Sequence, residues 1–450
     1  MAGTYYDNII LLLHGGNIRY SSWRTGILKI LIVGGGGREH ALAWRLSQSP
    51  NVKALWASPG NPGIAQLATC IPAPAGVTGY ADLAEALSVE LTVVGPEAPL
   101  VAGIVDEFRR RGMRIVGPTQ AAARLEGSKI FAKQFFERAG IPTARSAQVV
   151  SFYEALSVLK NFSMPTVIKA DGLAAGKGVV VALDRQEAET AIQRLGPNLV
   201  IEEFLEGEEV SFIGLSDGNA LVPFVPAQDH KRLLEGDEGP NTGGMGAYVD
   251  SRILTEQESG VIMERIMLPT LARMRTEGTP FTGFLYAGLM MTADGPKILE
   301  FNVRLGDPET QAILHNYQGD LAELLRMPGD VKRPNAAGCS VCITLAASGY
   351  PDAPRSGDTI QGIEEAEATG ATVFHAGTKL VDGRLVTNGG RVLSVTAGGD
   401  TLKAAIDKAY LAARKIHFDG MHYRKDIGQK GLKRWTEDRA YRAGGTAPDL

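Results

Sequence analysis

The sequence predicts a multidomain protein of mixed α/β and α+β class that begins with an open parallel sheet. Up to about residue 126, strands alternate with helices and each strand ends in Gly or Pro, which is typical of a parallel sheet with ligand loops at its carboxyl edge. After Gly127 the pattern changes to mostly β segments joined by short turns. The chain has 450 residues, which is too long for a single hydrophobic core.

The individual elements follow from hydrophobic periodicity and from Gly and Pro terminators. In the first region we expect strands over 28–33, 54–57, 91–94 and 115–116, and a helix over 39–46. In the second we expect a helix over 129–139, strands over 165–170, 178–183, 199–204 and 210–215, and a hairpin over 286–303 that turns at Asp294-Gly295. In the third we expect strands over 340–346, 372–375 and 392–396, and a helix over 402–416.

These elements divide the chain into domains. Residues 1–26 are expected to form a disordered extension, because their longest apolar run is too short for a signal-peptide core. The remainder is expected to comprise an α/β domain over 27–126, an α+β domain over 127–326, a smaller α+β domain over 331–430 after a linker at 327–330, and a polar tail over 433–450.

Composition indicates which kinds of molecule this protein could bind and where it could be located. The chain carries 46 basic and 50 acidic residues for a net charge of −4, which favours neither nucleic acid nor a membrane surface as a partner. Its cysteines, Cys70, Cys339 and Cys342, are too few for a secreted disulfide framework and suggest a reducing, cytoplasmic location. Cys339 and Cys342 lie three apart in an expected strand and face opposite sides, so we interpret them as packing residues.

The first glycine-rich segment runs from Gly34 to Gly37, between a strand and a helix. It lacks the third glycine of a dinucleotide fingerprint, and no acidic residue ends the second strand, so NAD binding is disfavoured. The bare amides of Gly35, Gly36 and Gly37 at a helix start suit a phosphate monoester. The alternative interpretation is a tight packing turn.

A second glycine-rich segment, Gly172 to Gly178, differs from a P-loop. Its glycines are one residue too close, Gly178 replaces the Ser or Thr that would hold Mg²⁺, and the segment precedes a strand. A glycine-rich β-turn that folds over nucleotide phosphates fits better, with Gly176 in the turn and Lys169 reaching a phosphate from the preceding strand.

The segment from Leu299 to Thr310 predicts a metal and anion site. In an extended strand, Glu300, Asn302 and Arg304 share one face. A carboxylate and an amide oxygen two residues apart suit Mg²⁺, and the arginine could hold a substrate carboxylate or phosphate. The alternative is an ordinary solvated strand face.

Five segments, taken in order, resemble the phosphoribosylamine–glycine ligase family of ATP-grasp enzymes. The resemblance extends from about Leu28 to about Asp426, and it is carried by segments 169–178, 202–209, 228–232, 241–246 and 299–310. It implies an ATP-grasp central domain and the ligation of glycine to 5-phosphoribosylamine, with ATP consumed through a glycyl phosphate. It also implies ATP with Mg²⁺ or Mn²⁺, and we expect a monomer or small homo-oligomer.

The resemblance also implies roles for individual residues. Lys129 and Lys169 would contact phosphates, and Glu300 and Asn302 would coordinate one or two metal ions. Asp229 and Arg304 would hold the amino and carboxylate ends of glycine. The remaining assignments are the backbone of Glu202, Glu203, Phe204 and Leu205 for adenine, Glu209 for ribose, Arg232 and Asn241 for the phosphate path, and Gly35, Gly36, Gly37, Gly60 and Gly63 for the ribose phosphate.

Two positions depart from the family pattern. Val303 stands where a smaller residue is expected and Leu305 where an aromatic one is expected, so the packing beside the metal ligands is in question. The alternatives to the proposed activity are another ATP-grasp carboxylate–amine ligase, a biotin-carboxylase-like enzyme, and a paralogue that binds nucleotide without catalysis.

Overall fold

The computed structural model describes residues 27–173, 178–326 and 338–434. The first region contains a parallel sheet with strand order β3-β2-β1-β4-β5. Its strands are β1 (Leu28–Gly34), β2 (Val52–Pro59), β3 (Thr69–Cys70), β4 (Leu91–Val94) and β5 (Ile115–Val116). The loops after β1, β2 and β4 therefore meet at one edge of the sheet, as the sequence predicts.

Helices cover the parallel sheet. They are α1 (Gly37–Leu46), α2 (Gly76–Ala86), α3 (Glu97–Val101), α4 (Ile104–Arg110) and α5 (Gln120–Gly127). Helix α1 begins two residues before the predicted start, because Gly36 serves as its N-cap and the Glu39 carboxylate accepts from the Gly36 amide. Its apolar face is buried, with Ala41, Leu42 and Leu46 fully inaccessible to solvent.

The second region begins with helix α6 (Lys129–Ala139), whose bounds match the prediction. Ser128 caps its N-terminus by accepting from the Phe131 amide, and Gly140 in the left-handed conformation (φ +65°) ends it. An antiparallel sheet of order β6-β9-β7-β8 follows. It consists of β6 (Ser146–Val149), β7 (Thr166–Ala170), β8 (Val179–Ala182) and β9 (Leu199–Glu203), with helices α7 (Phe152–Leu159) and α8 (Arg185–Leu195) packed on it.

The rest of the second region supplies strands to a larger sheet. These strands are β10 (Glu208–Asp217), β11 (Leu221–Pro223), β12 (Ala227–Asp229), β15 (Gly246–Val249), β16 (Thr282–Thr292) and β17 (Gly295–Asn302). Strands β13 (Arg232–Leu234) and β14 (Glu238–Asn241) pair separately. The accompanying helices are α9 (Glu256–Ile262), α10 (Leu268–Thr276), α11 (Glu309–Asn316) and α12 (Leu321–Arg326), with a π-helical turn at Met263–Met267.

The third region continues the same sheet. Its strands are β18 (Cys339–Ala346), β19 (Thr372–His375), β20 (Thr378–Val381), β21 (Arg384–Thr387) and β22 (Arg391–Gly399), and its helices are α13 (Ile363–Glu367) and α14 (Leu402–Ala413). The large sheet has the order β17-β16-β10-β12-β15-β18-β22-β19, so the β15–β18 pair joins the second region to the third. Strand β18 is buried along its whole length, and its two cysteines are packed and unpaired, as expected for packing residues.

The architecture confirms the predicted fold class: a parallel sheet is followed by an antiparallel sheet and by a larger sheet that ends in the third region. Val303 and Leu305 are buried in hydrophobic clusters, so both side chains fit their surroundings. No helix in the described ranges is long and apolar enough to cross a membrane. Residues 1–26, the linker 327–330, Gly176 and the tail beyond Arg434 lie outside the described residues.

Candidate active site

A cleft of about 1860 Å³ lies where the three sheets approach one another. Its wall includes residues of helices α1, α3 and α5 of the first region, strands β7 and β9 of the antiparallel sheet, and strand β17 of the large sheet. Most of the residues predicted to form the site line this single cleft: Lys129, Lys169, Glu202, Glu203, Phe204, Leu205, Glu209, Asp229, Arg232, Asn241, Glu300, Asn302 and Arg304.

The Lys169 side chain lines the cleft, and its ammonium group forms an ion pair with Glu202. Its Nζ lies 2.9 Å from Oε2 of Glu202 and donates to the Leu299 carbonyl at 3.3 Å. Burial alone would lower the pKa of Lys169, but the carboxylates of Glu202 and Glu300 outweigh it and raise that pKa. The side chain is therefore a fixed positive charge in the cleft.

Lys129, the first residue of α6, contacts the first residue of the second glycine-rich segment. Its Nζ donates to the Gly172 carbonyl at 2.9 Å, and Asp171 accepts from the Ile130 amide at 3.1 Å. Burial lowers the pKa of Lys129, and the nearby Glu300 carboxylate opposes this shift. The contact ties the helix that carries Lys129 to the strand that carries Lys169.

The predicted adenine-binding stretch follows the end of strand β9. Glu202 is buried, and the Glu203 carboxylate accepts from the Arg145 amide at 2.9 Å. Leu205 is buried while Phe204 is 40% exposed. The backbone here therefore forms a cleft edge with its side chains alternately packed and exposed.

Asp229 and Glu209 lie on neighbouring strands and share the Lys231 ammonium. Lys231 Nζ lies 3.0 Å from Oδ1 of Asp229 and also contacts the Glu209 carboxylate. Burial raises the pKa of Asp229 to about 6, with Lys231 opposing and Glu309 adding to the shift. Lys231 lowers the pKa of Glu209. The sequence analysis gave Lys231 no role, although its spacing of two from Asp229 in an extended segment was the available signal.

Glu300 and Asn302 lie on one face of strand β17, opposite Gly288 and Tyr286 of β16. The register shifts just before Glu300, so that Leu299 has no partner in the ladder. Such a bulge re-aims the side chains that follow it, and simple alternation did not predict it. Among the described residues no group of three or more His, Cys, Asp or Glu side chains could hold a metal.

Arg304 lies beyond the end of β17 and reaches back to the first region. Its Nη2 lies 2.8 Å from Oε1 of Glu126 and its Nε lies 3.4 Å from Oε2 of Glu97. Burial raises the pKa of Glu126. For Glu97 burial acts in the same direction, but the charges of Arg304 and Arg38 and the hydrogen bonds to the carboxylate together lower its pKa. The predicted substrate-binding guanidinium is thus oriented by two carboxylates that the sequence analysis did not single out.

Arg232 and Asn241 face each other across the β13–β14 pair at the cleft margin. The Arg232 Nη1 donates to the Gly239 carbonyl at 2.7 Å, which folds the side chain over its own hairpin. Both predicted residues are therefore brought to the cleft by one small two-stranded unit.

The five glycines predicted to bind the ribose phosphate do not line the cleft. Gly35, Gly36, Gly37, Gly60 and Gly63 are not among the described residues that line the cleft. A Cβ on Gly35 would lie 2.4 Å from the Gly60 carbonyl oxygen, and one on Gly63 would lie 2.4 Å from the His40 ring. The Asn61 amide donates to the carbonyls of Gly35 and His375 and accepts from the Gly63 amide. Close packing between the two loops thus accounts for several of these glycines.

Two cations missed by the sequence analysis line the cleft near these loops. Arg391 of β22 lies 3.3 Å from the Asp307 carboxylate, and Arg38 of α1 donates to the Leu305 carbonyl at 2.8 Å. Burial would raise the pKa of Asp307, but Arg391 and Arg38 lower it. Arg391 is more than 80 residues away in sequence from Asp307, so no local pattern could have indicated it. Arg38 directly follows the recognised glycine segment.

A lysine- and carboxylate-lined cleft between an antiparallel sheet and a larger sheet defines a protein of the ATP-grasp class. Family models for phosphoribosylglycinamide synthetase match most of the chain: the N domain over residues 28–126, the ATP-grasp (A) domain over 127–310 and the C domain over 340–430. The chain belongs to the phosphoribosylglycinamide synthetase family.

Individual relatives agree with the family assignment. The phosphoribosylamine–glycine ligase of Ralstonia nicotianae is 50% identical over 429 residues, which is 90% of this chain and 100% of the relative. The Escherichia coli K12 enzyme of the same name is 47% identical over 426 residues, 90% of this chain and 99% of the relative. These matches confirm the family and the enzyme class that the sequence motifs indicated.

Solved structures show the same architecture. A crystal structure of phosphoribosylamine–glycine ligase from Thermotoga maritima superposes with a TM-score of 0.79 at 37% identity, covering 89% of this chain and 100% of that one. The biotin carboxylase domain of a Hydrogenobacter thermophilus 2-oxoglutarate carboxylase gives a TM-score of 0.65 at 17% identity, covering 94% of this chain and 97% of that one. The latter similarity supports the fold alone.

Proposed function

We propose that this protein joins glycine to 5-phosphoribosylamine at the expense of ATP, forming glycinamide ribonucleotide, ADP and phosphate in purine biosynthesis. The observation that carries the proposal is the convergence of the predicted nucleotide, metal and glycine residues on one cleft in a member of this family. The printed names of the relatives support the choice of substrates.

In the first step, a glycine carboxylate oxygen attacks the γ-phosphorus of ATP, the bond to the β-phosphate oxygen breaks, and ADP leaves. Lys129 and Lys169 neutralise charge on the phosphates, and Arg304 orients the attacking carboxylate. The backbone from Glu202 to Leu205 holds the adenine edge and Glu209 holds the ribose hydroxyls. Arg232 and Asn241 line the path of the phosphates, and Gly176, which lies outside the described residues, remains a predicted ATP contact.

The residues present suit a divalent cation. Glu300 offers a carboxylate and Asn302 an amide oxygen on the same strand face, and Mg²⁺ accepts such hard oxygen ligands while completing its shell with water and phosphate. A bound Mg²⁺ or Mn²⁺ would supply charge neutralisation and orientation of the phosphates. We propose that the bound metal ion is Mg²⁺ or Mn²⁺.

In the second step, the amine nitrogen of phosphoribosylamine attacks the acyl carbon of glycyl phosphate. The C–N bond forms, the C–O bond to phosphate breaks, and the proton lost by the nitrogen is taken up by the departing phosphate. Asp229 is suited to hold the glycine ammonium group, because its carboxylate lines the cleft and its side chain is only 8% exposed. Arg38 and Arg391 supply positive charge near the first-region glycine loops, where the proposal places the ribose phosphate.

The closest alternative is another ATP-grasp carboxylate–amine ligase, which would share the nucleotide and metal residues and use a different acceptor. A coupled assay of ADP release distinguishes the two. With glycine, phosphoribosylamine, ATP and Mg²⁺ we expect turnover, and omission of glycine should abolish it. ADP release that is indifferent to glycine would contradict the proposal. A cytoplasmic location and a monomeric or small homo-oligomeric state remain predictions.

A further inference from the structure

A second lysine on helix α6, Lys133, is buried behind the cleft. It follows Lys129 by one helical turn, so both side chains project from the same helix face. Lys129 lines the cleft, whereas Lys133 is only 5% exposed and is not among the described lining residues. Burying an ammonium group is costly unless a partner compensates it, so this side chain calls for a physical explanation.

The contacts of Lys133 fix its ammonium in one place. Its Nζ donates to Oγ1 of Thr143 at 2.7 Å, and that hydroxyl donates to the Ile298 carbonyl of β17 at 2.7 Å. The same Nζ lies 3.0 Å from Oε1 of Glu202, in an ion pair that lacks hydrogen-bond geometry at that oxygen. The group is therefore held against the strand that carries the predicted metal ligands and against the Glu202 carboxylate.

Glu202 is shared between two lysines. Oε1 faces Lys133, while Oε2 lies 2.9 Å from Nζ of Lys169. The three side chains are almost completely buried, with side-chain exposures of 4% for Lys133, 2% for Glu202 and 9% for Lys169. The group carries one net positive charge, and its Lys169 and Glu202 members line the cleft. This arrangement suits an anionic ligand on the cleft side.

We propose that Lys133 is a positioning residue for the nucleotide site, because its sharing of the Glu202 carboxylate leaves the Lys169 ammonium available to a nucleotide phosphate. Without Lys133, Glu202 would have Lys169 as its sole cationic partner within this group. A phosphate could then recruit Lys169 only by leaving a buried carboxylate uncompensated, which is strongly unfavourable. The inference rests on the proposed nucleotide site and adds a residue that never touches the nucleotide.

The test is the affinity of the purified full-length chain for MgADP, measured by isothermal titration calorimetry. We expect Lys133→Met to weaken binding about tenfold, since it leaves Glu202 to compete with phosphate for Lys169. The double variant Lys133→Met/Glu202→Gln removes both buried charges and should regain most of the lost affinity. Lys160→Met, at an exposed helix end, is the matched control and should bind as the wild type does.

Several outcomes would overturn the inference. Equal affinity of wild type and Lys133→Met would do so, and so would a double variant that binds as weakly as Lys133→Met. Thermal midpoints are measured in parallel, because a purely structural role would lower the midpoint and leave the affinity of the folded protein unchanged. If Lys133→Met alone does not fold, the double variant decides: binding within about threefold of wild type supports the inference, and tenfold weaker binding contradicts it. Failure of the wild type to bind MgADP would contradict the proposed function itself.

Discussion

The guanidinium of Arg304 lies 2.8 Å from the carboxylate of Glu126, and this ion pair links the segment that follows strand β17 to the last helix of the first region. Glu126 also accepts from the Val303 amide at 2.8 Å, so one carboxylate fixes both the backbone and the side chain at this point. The predicted glycine-binding residue is therefore positioned by a part of the chain that precedes it by almost 180 residues.

Arg304→Lys should lower kcat/KM for glycine at least a hundredfold. The planar guanidinium contacts Glu126 and Glu97 at the same time, and a single ammonium cannot keep both contacts and still present two donors to a carboxylate. Steady-state kinetics with varied glycine measure the effect. MgADP affinity should stay within about twofold of wild type, and Arg265→Lys on an exposed helix surface serves as the control. A variant with nearly unchanged kcat/KM would remove Arg304 from the glycine site.

The rate should depend on pH through Asp229. Burial raises the pKa of this carboxyl to about 6, so its ionised form is lost as the pH falls below that value. We expect kcat/KM for glycine to fall about tenfold per pH unit below pH 6. Asp229→Asn should be slow and should lack this acidic limb between pH 5 and 7. An unchanged acidic limb in that variant would assign it to another group.

The raised pKa of Asp229 also predicts how the free energy of unfolding changes with pH. Between about pH 4 and pH 6 the folded state holds the Asp229 proton more tightly than the unfolded chain does, so the contribution of this group to the free energy of unfolding falls as the pH rises through that window. Asp229→Asn should therefore gain stability relative to wild type on going from pH 4 to pH 7. Urea denaturation at the two pH values measures the difference, and a gain in the opposite direction would contradict the assignment.

Glu300→Gln should reduce turnover at least a hundredfold and raise the Mg²⁺ concentration needed for half-maximal rate. The substitution preserves size but removes the charge that makes this side chain a good ligand for a divalent cation. ADP release measured across a Mg²⁺ series gives both quantities. Glu264→Gln, which alters an exposed glutamate, should behave as wild type. Unchanged turnover in Glu300→Gln would refute the metal assignment.

Phe301→Ala should lower the free energy of unfolding by about 3–5 kcal/mol, the range for truncation of a buried aromatic residue. The Phe301 ring is 1% exposed and packs edge-to-face against Phe136 of α6, with ring centroids 5.6 Å apart. Urea denaturation measures the loss. Phe152→Ala, which truncates a ring that is 42% exposed, should cost far less. Equal losses at the two positions would show that the packing beneath β17 contributes little.

Much of the fold could be predicted because its signals are local. The Gly and Pro residues that end each strand of the first region indicated a parallel sheet. The caps Ser128 and Gly140 define the first and last residues of α6. The joining of β15 to β18 could not be predicted in this way. The pairing that places Tyr248 opposite Val341 joins strands that are about 90 residues apart in sequence, and neither strand carries a sequence signal for its partner.

The same difference between local and long-range signals decides which residues of the candidate site could be predicted. Side chains in one strand or turn, such as Glu300 with Asn302, were found from spacing. The partners that orient them were missed, because Glu126, Lys133 and Arg391 approach the cleft through tertiary packing. The glycine loops were recognised, but their tight mutual packing was not, since a sequence does not show which backbone lies against which.

The continuous large sheet limits how the protein can be divided. Strand β15 is hydrogen-bonded on one side to β12 and on the other to β18, so a chain cut short before β18 would leave the full length of β15 as an open edge. The exposed strand carries Ala247, Tyr248 and Val249, all of them buried in the intact chain. Such an edge invites pairing between molecules, so we expect the nucleotide-binding part to aggregate when it is expressed without the C-terminal strands.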